Sequence, residues 1–584
     1  MNAQRSLTIA TKVRLYVALI AVLFAAVGAT PNTTRAASFQ RISGEGSSWA
    51  ANAIDAMRVN VRQFGITVDY NPSGSTAGRK NFLNGTVDFA ASDIPFQFHP
   101  EDGSAPENPR ADSYAYIPIV AGGTAFMYNL QINGKRVTNL RLSGQNVSKI
   151  FTGVITKWND PAIAADNPGL VMPARTIVPV VRSDGSGSSA QFTKWMINRF
   201  PDIWNTYCKK SGRAPACGFT SFYPTISGMI SQSGDIGIAG YVSQGFAEGA
   251  IGYVNYSYAL SSQFPVVKVL NAAGFYTEPT PQNVAVSLLK ARINTDKSNP
   301  EVFLTQNLDA VYTDTDPRNY QLSSYSYLIV PTAVGGQFNT DKGETLGAFA
   351  YYAMCQAQQQ SESLGYSPLP VNLVQASFEQ ILKIPGVVAQ SIDIRACKNP
   401  TFSADGTNLV AKNAPQPLAC DKTGGATQCP NGTGGLSKVP TAVKAAPAGG
   451  GGTPTPTTAP PAAGGGGGGT TVPGATLAPG ETLAPGGPLD TSVTGGTGGV
   501  LDTSFTGDTT LTGDGAGDGF SAGDGTGGGD GQLADPAVVG DVTPTTLTQF
   551  HVPLPLLVLV ILLALALILA PAIAWRYLSR EEQR

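Results

Sequence analysis

PVVRSDGSGSSAQF, residues 179–192, sets the fold by the order of its parts. PVV reads as the end of an apolar strand and SDGSG as a turn. The following SSAQFTKWMINRF reads as a helix with Phe192, Trp195, Met196 and Ile197 at helical spacing. Ser and Gly are ordinary cap and turn residues. A turn of this kind feeding a helix also leaves backbone N–H groups without intrahelical acceptors at the positive end of the helix dipole, an anion site in outline. Spacing excludes two catalytic motifs here. A phosphate-cradling P-loop needs a Lys that does not follow Gly187, and the Gly-x-Ser-x-Gly nucleophile elbow finds Gly187 where its serine belongs.

The same junction occurs twice upstream. ISGEGSSWAANAIDAMRVNVRQFG (42–65) predicts a glycine-rich turn and then a helix with Trp49, Ile54, Met57 and Val61 on a core-facing stripe. ITVDYNPSGSTAGRKNFLNG (66–85) predicts a strand, a Gly-Ser turn and a helix opening at Ser75 or Thr76. In an α/β sheet such turns share the carboxyl edge of the strands, where ligands bind. A fourth segment, TVDFAASDIPF (86–96), predicts a buried strand ending in Asp93. A carboxylate there repels an anion unless the anion brings a proton to share. Arg182, at the strand end before the first turn, supplies counter-charge and is able to hold an oxyanion bidentately, with Asp184 orienting it.

The two ends of the 584-residue chain read differently. Residues 1–29 carry Arg5, Lys12 and Arg14 before the apolar LYVALIAVLFAAVG, an export signal with a small-residue cleavage site after Ala29, or alternatively after Ala36. The six cysteines of an exported chain favour disulfides over metal or redox roles. Proximity in sequence pairs Cys208 with Cys217 and Cys420 with Cys429, which leaves Cys355 with Cys397; other connectivities stay open. Residues 399–430 form a Cys-containing extension. Residues 431–550 are rich in Gly, Pro, Thr and Asp and read as a disordered tether. VPLPLLVLVILLALALILAPAIA (552–574) is uncharged and long enough to span a bilayer. With Arg576, Arg580 and Arg584 beyond it, the 575–584 tail lies in the cytoplasm and the folded part outside. That folded part carries a net charge of about +3 without a basic run, which argues against nucleic acid and suits a small anion. Its histidine supply excludes a His-rich metal centre, for the chain holds only His99, in a polar loop, and His551.

GTVDFAASD (85–93), VVRSDGSGSS (180–189), IGIAGYVSQ (236–244) and GAIGYVNYSYA (249–259), both read as strands, and TGVITKWNDPAI (152–163) resemble the periplasmic phosphate-binding proteins of ABC transporters. The resemblance covers about residues 40–390. It implies an α/β, two-lobed, type II periplasmic-binding-protein-like fold over 40–398, with lobe one at about 40–120 and 326–398 and lobe two at about 121–325. YAYIPIVAGGTAFMYNL (114–130) and SSYSYLIVPTA (323–333) would be the crossover strands. It further implies phosphate contacts at Ser48, Trp49 (backbone), Ser75, Asp93, Arg182, Ser186, Gly187 and Ser188, with Asp184 holding Arg182. Ser48-Trp49 stands where the family has Thr-Phe, and Ser188 where it has Thr; each keeps its hydroxyl or backbone donor. The expectation is therefore a monomeric, membrane-tethered extracellular binder of inorganic phosphate for uptake or sensing, with no cofactor, no metal and an ABC permease as partner. A phosphate-responsive adhesion or signalling module and a phosphoesterase are the alternatives. Asp93 is expected to reject sulfate from pH 5 to 8, since both phosphate ionisation states keep a proton and sulfate has none.

Overall fold

The computed structural model describes residues 39–444, apart from 111, 214–216, 300 and 426. Short apolar runs make an eight-stranded sheet: β1 (Ile42–Gly46), β2 (Val68–Asn71), β3 (Phe89–Ser92), β4 (Tyr114–Tyr128), β5 (Val178–Arg182), β6 (Ile230–Gln232), β7 (Ala250–Asn255) and β8 (Ser323–Pro331). Their spatial order is β2-β1-β3-β8-β4-β7-β5-β6. β1 runs parallel to β2 and β3, and β5 runs parallel to β7 and β6. The two parallel groups are joined by an antiparallel seam. β4 pairs with β8 over Tyr114–Gly123 and then with β7 over Thr124–Tyr128, so the changeover at Gly123 divides the sheet into a first half and a second half. Every residue of β4 and β8 is buried, which suits their largely apolar character.

Four helices follow strand ends. α1 (Ala51–Val61) and α2 (Ser75–Leu83) belong to the first half, and α3 (Gly187–Arg199) and α4 (Gly234–Val242) to the second. Two readings of the sequence change here. ISGEG is strand β1 rather than a turn, with Gly44 fitted against the ring of Phe89. IGIAGYVSQ is mostly helix α4, not a strand. Ile238, Ala239 and Val242 are buried on one side while Ile236 is exposed, a helical pattern that so short an apolar run conceals in sequence.

The bridges Cys208–Cys217, Cys355–Cys397 and Cys420–Cys429 are formed, and no described cysteine is free. The expected start of the tether at 431 is corrected. Thr433 is fully buried, its hydroxyl bonded to the carbonyls of Val266 and Thr138, and the Lys444 N–H donates to Gly169 O at 2.7 Å. Gly434, at φ +55, lies so close to the second half that a Cβ would come within 2.7 Å of Phe264 O. Its glycine serves close approach, where composition alone had implied looseness. Among the described residues no helix is long and apolar enough to cross a membrane. The expected leader 1–29, the tether over 445–550, the span 552–574 and the tail 575–584 lie outside the described residues.

Candidate anion-binding site

At the carboxyl edge the two halves meet around Arg182, whose side chain is buried. Its Nε and Nη2 donate to Asp184 Oδ1 and Oδ2 at 2.8 and 2.5 Å. Nη1 donates to Asp235 Oδ2 at 2.6 Å, and Nη2 also donates to Ser48 Oγ at 2.8 Å. The Nε/Nη2 edge of the guanidinium is thus held by Asp184, the orienting contact expected of that residue, and an anion would meet what remains of Nη1. Burial disfavours the guanidinium charge, but Asp235 and Asp184 outweigh it and hold the pKa above its ordinary value. Asp184, itself held down by Arg182 against a desolvation that raises it, also accepts the Gly234 N–H at 2.9 Å.

Ser48 comes from the first half and is claimed by the second. Its hydroxyl donates to Asp235 Oδ2 at 2.6 Å and accepts the Asp235 N–H at 3.0 Å. Asp235 is fully buried, and its other oxygen accepts the Asn255 N–H at 2.7 Å. Burial raises the Asp235 pKa against the pull of Arg182.

Asp93 follows β3. Its Oδ1 accepts from Ser47 Oγ at 2.7 Å and Ser326 Oγ at 2.8 Å, and its Oδ2 from Ser75 Oγ at 3.3 Å. Desolvation pushes this carboxyl up to about 6; the serine hydroxyls pull it down, Asp235 adds to the rise and Arg182 opposes it. Facing it is the start of α3. Ser186 is the N-cap, its Oγ accepting the Ser189 N–H at 3.2 Å, so the N–H groups of Gly187 and Ser188 keep no intrahelical acceptor. A Cβ on Gly187 would lie 2.5 Å from Asp93 Oδ2 and 2.6 Å from Ser75 Oγ. Only glycine lets this helix start come so near the carboxylate. Ser188 Oγ is buried without a partner, an unmet donor that a bound oxyanion would satisfy.

An aromatic cluster fixes α3 in place. Phe192 packs against Phe126, Phe151 and Tyr253 at centroid distances of 5.4, 5.2 and 5.2 Å, and Ser189 Oγ shares a hydrogen bond of 2.6 Å with Tyr253 OH. Trp49 turns its indole into the core, where Nε1 donates to Thr124 Oγ1 at 3.2 Å, leaving its backbone beside Ser48.

Ser48, Ser75, Asp93, Arg182, Asp184 and Gly187 therefore converge, with Ser186 and Ser188 at the α3 start and Trp49 next to Ser48. Sequence reasoning missed Asp235, Ser47 and Ser326. Asp235 had a usable signal, for SGD at 233–235 is one more turn opening a helix, hidden by the strand reading of residues 236–244. Ser326, inside a strand buried along its whole length, had none.

The family described as the PBP superfamily domain matches residues 28–357. Among curated relatives, Phosphate-binding protein PstS 2 of Mycobacterium tuberculosis is 29% identical over 357 residues, 59% of this chain and 87% of that protein. Phosphate-binding protein PstS of Haemophilus influenzae is 28% identical over 313 residues, 54% of this chain and 84% of that one. Among solved structures, the phosphate binding protein from Stenotrophomonas maltophilia aligns with a TM-score of 0.43 at 19% identity, covering 63% of this chain and 99% of its own. With more than half of its length matched by that family, and with paired parallel sheet halves meeting at a buried polar cluster, the chain belongs to the PBP superfamily.

Proposed function

We propose that the chain binds inorganic phosphate outside the cell for uptake, its two sheet halves closing as lobes over the anion. Asp93 carries this reading. All three side-chain groups bonded to it are serine hydroxyls, so the carboxylate acts as an acceptor, and its Oδ2, which holds only the longer 3.3 Å bond from Ser75, has capacity left for the hydroxyl of HPO₄²⁻ or H₂PO₄⁻. Sulfate would set lone pairs against lone pairs in a water-poor cleft. Donors for the other oxygens are the hydroxyl of Ser188, the N–H groups of Trp49, Gly187 and Ser188, the dipole of α3 capped by Ser186, and what remains free on Arg182, which Asp184 orients; the hydroxyls of Ser48 and Ser75, which donate to Asp235 and Asp93 here, join them by turning to the anion. The relatives are phosphate-binding proteins, and this chain acts likewise as a substrate-binding receptor rather than a hydrolase.

The receiving partner is an ABC permease. The acidic, Gly- and Pro-rich stretch from 445 to 550 acts as a tether, and 552–574 anchors it with the C-terminus inside the cell. Calorimetric titration with phosphate, sulfate and a phosphate monoester tests the ligand: phosphate alone should bind, and equal affinity for sulfate would sink the reading. Protease added to intact cells should release a soluble domain. A domain that stays cell-bound after deletion of 552–584 would remove the anchor.

A further inference from the structure

Residues 399–444 continue past the family-matched segment and touch both halves of the sheet. On the first-half side, the Cys355–Cys397 bridge ties the segment to the end of the helix Thr340–Met354, and Asn399 Nδ2 and Thr401 Oγ1 donate to Leu369 O at 2.9 and 3.1 Å. The chain then passes the crossing strands, where Asn408 lines a small cavity with Ala121 of β4 and Tyr325 of β8. Val410, Ala411 and Ala414 pack on Ala285 and Val286 of the helix Pro281–Leu288, and Arg318 Nη1 donates to the carbonyls of Ala411 and Ala414.

From there it is bound to the second half by charge and by backbone. Lys268 Nζ meets Asp421 Oδ2 at 2.8 Å in a mostly buried pair. Arg141 Nη1 donates to Cys420 O at 2.9 Å, Asn139 Nδ2 to Cys429 O at 2.7 Å, and the Gly434 N–H to Glu278 Oε2 at 3.0 Å. Between the two anchorages the slack is an exposed turn, Ala404–Thr407. That turn is held shut by the Leu409 N–H, which donates to Thr401 O at 3.0 Å, and by Ser403 Oγ, which donates to Thr407 O at 2.7 Å, so its length is released only when these bonds break. Opening the halves must either draw out this turn or shear the packing against the helix 281–288.

We propose that residues 399–444 are a strap, a third connection between the halves beside β4 and β8, which limits their opening and so slows exchange of the bound anion. This rests on the lobe-closure reading above.

The test uses the full chain in detergent with a protease site replacing residues 404–407 and spin labels at Val59 of α1 and Ile236 of α4, both exposed. Without phosphate, nicking should lengthen and broaden the label-to-label distance, and phosphate dissociation should accelerate several-fold. Gly434→Val, which loosens only the last part of the strap while Cys420, Asp421 and Cys429 stay bound to the second half, should widen the distances less than nicking does. Unchanged distances and release rate after complete nicking overturn the proposal. So does loss of the thermal unfolding transition on nicking, which would make the segment part of the core. If the uncut chain binds no phosphate, the ligand reading falls while the label distances still decide the strap.

Discussion

Of the arginines buried in this protein, Arg79 and Arg182 are put to different uses. Arg79, on α2, gives Nε and Nη2 to Glu107 at 2.7 and 3.0 Å, Nη1 to Ser92 at 2.9 Å and a longer bond to Thr76. Its partners all belong to the first half, and one carboxylate balances one guanidinium. Arg182 faces two carboxylates, and one of its partners, Ser48, belongs to the opposite half. The proposed lobe opening would leave the Arg79 cluster intact and break the one around Arg182. Charge balance within one rigid body makes a structural ion pair; imbalance spread across a moving boundary makes a site.

The largest effect expected from this contrast is on stability. Arg79→Ala strands Glu107, 6% exposed, without its partner, and breaking a buried pair costs on the order of 3–5 kcal/mol. The denaturant midpoint should fall accordingly, while the folded fraction keeps its affinity for phosphate. If Arg79→Ala leaves the midpoint unchanged, the pair has no structural weight and the contrast fails.

Next in size is Arg182→Ala, expected to weaken phosphate by on the order of 2–5 kcal/mol in calorimetry. It should disturb folding less than Arg79→Ala does. Asp235, already pushed toward its neutral form by burial, is ready to take up a proton, and the side chain of Asp184, 11% exposed, reaches water. Arg182→Lys should recover only part of the affinity, because an ammonium cannot span both oxygens of Asp184. Wild-type affinity in the Ala variant would place the anion elsewhere.

How far these assignments were legible in the sequence depends on whether their signal was local. Strand, glycine-serine turn and helix start are local, so the helix openings near Ser75 and after the 183–187 turn stood out, and Asp93 and Arg182 followed as strand-end charges, while the single contacts at Ser48, Trp49, Ser186, Gly187 and Ser188 came from the family resemblance. The occupied edge of Arg182 was not legible. Asp184 was placed beside it, but the geometry that gives it both Nε and Nη2, and the Asp235 bond to Nη1 from 53 residues away, rest on a helix whose apolar run reads equally well as a strand. The glycines near 434 misled for a related reason. Close approach and looseness call for the same residue, and only the neighbour at Phe264 tells them apart. The division of the sheet came from the family resemblance and not from local pattern, since β4 and β8 are buried along their whole length and carry no mark of where one changes partner.

The smallest effect concerns Asp93, and it revises the expected pH range for sulfate rejection. With its carboxyl pushed up to about 6 by burial, Asp93 is an acceptor at pH 7.5 but carries its own proton at pH 5, where it can donate to a sulfate oxygen. The preference for phosphate should therefore erode as pH falls through about 6 rather than persist to 5. The same shift has a sign for folding. A carboxyl whose folded pKa is raised favours the native state below its unfolded value, near 4, and loses that contribution as pH rises through about 6. Asp93→Asn removes the buried charge, so the ligand-free variant should be more stable than the parent at pH 7.5 by on the order of 1–3 kcal/mol. That gain should shrink through pH 6 and be gone near pH 4. Thermal unfolding of both proteins across this range gives the answer. A stability difference that does not change with pH would mean that Asp93 is not held ionised against its surroundings, and the acceptor role argued for it in phosphate recognition would lose its physical basis.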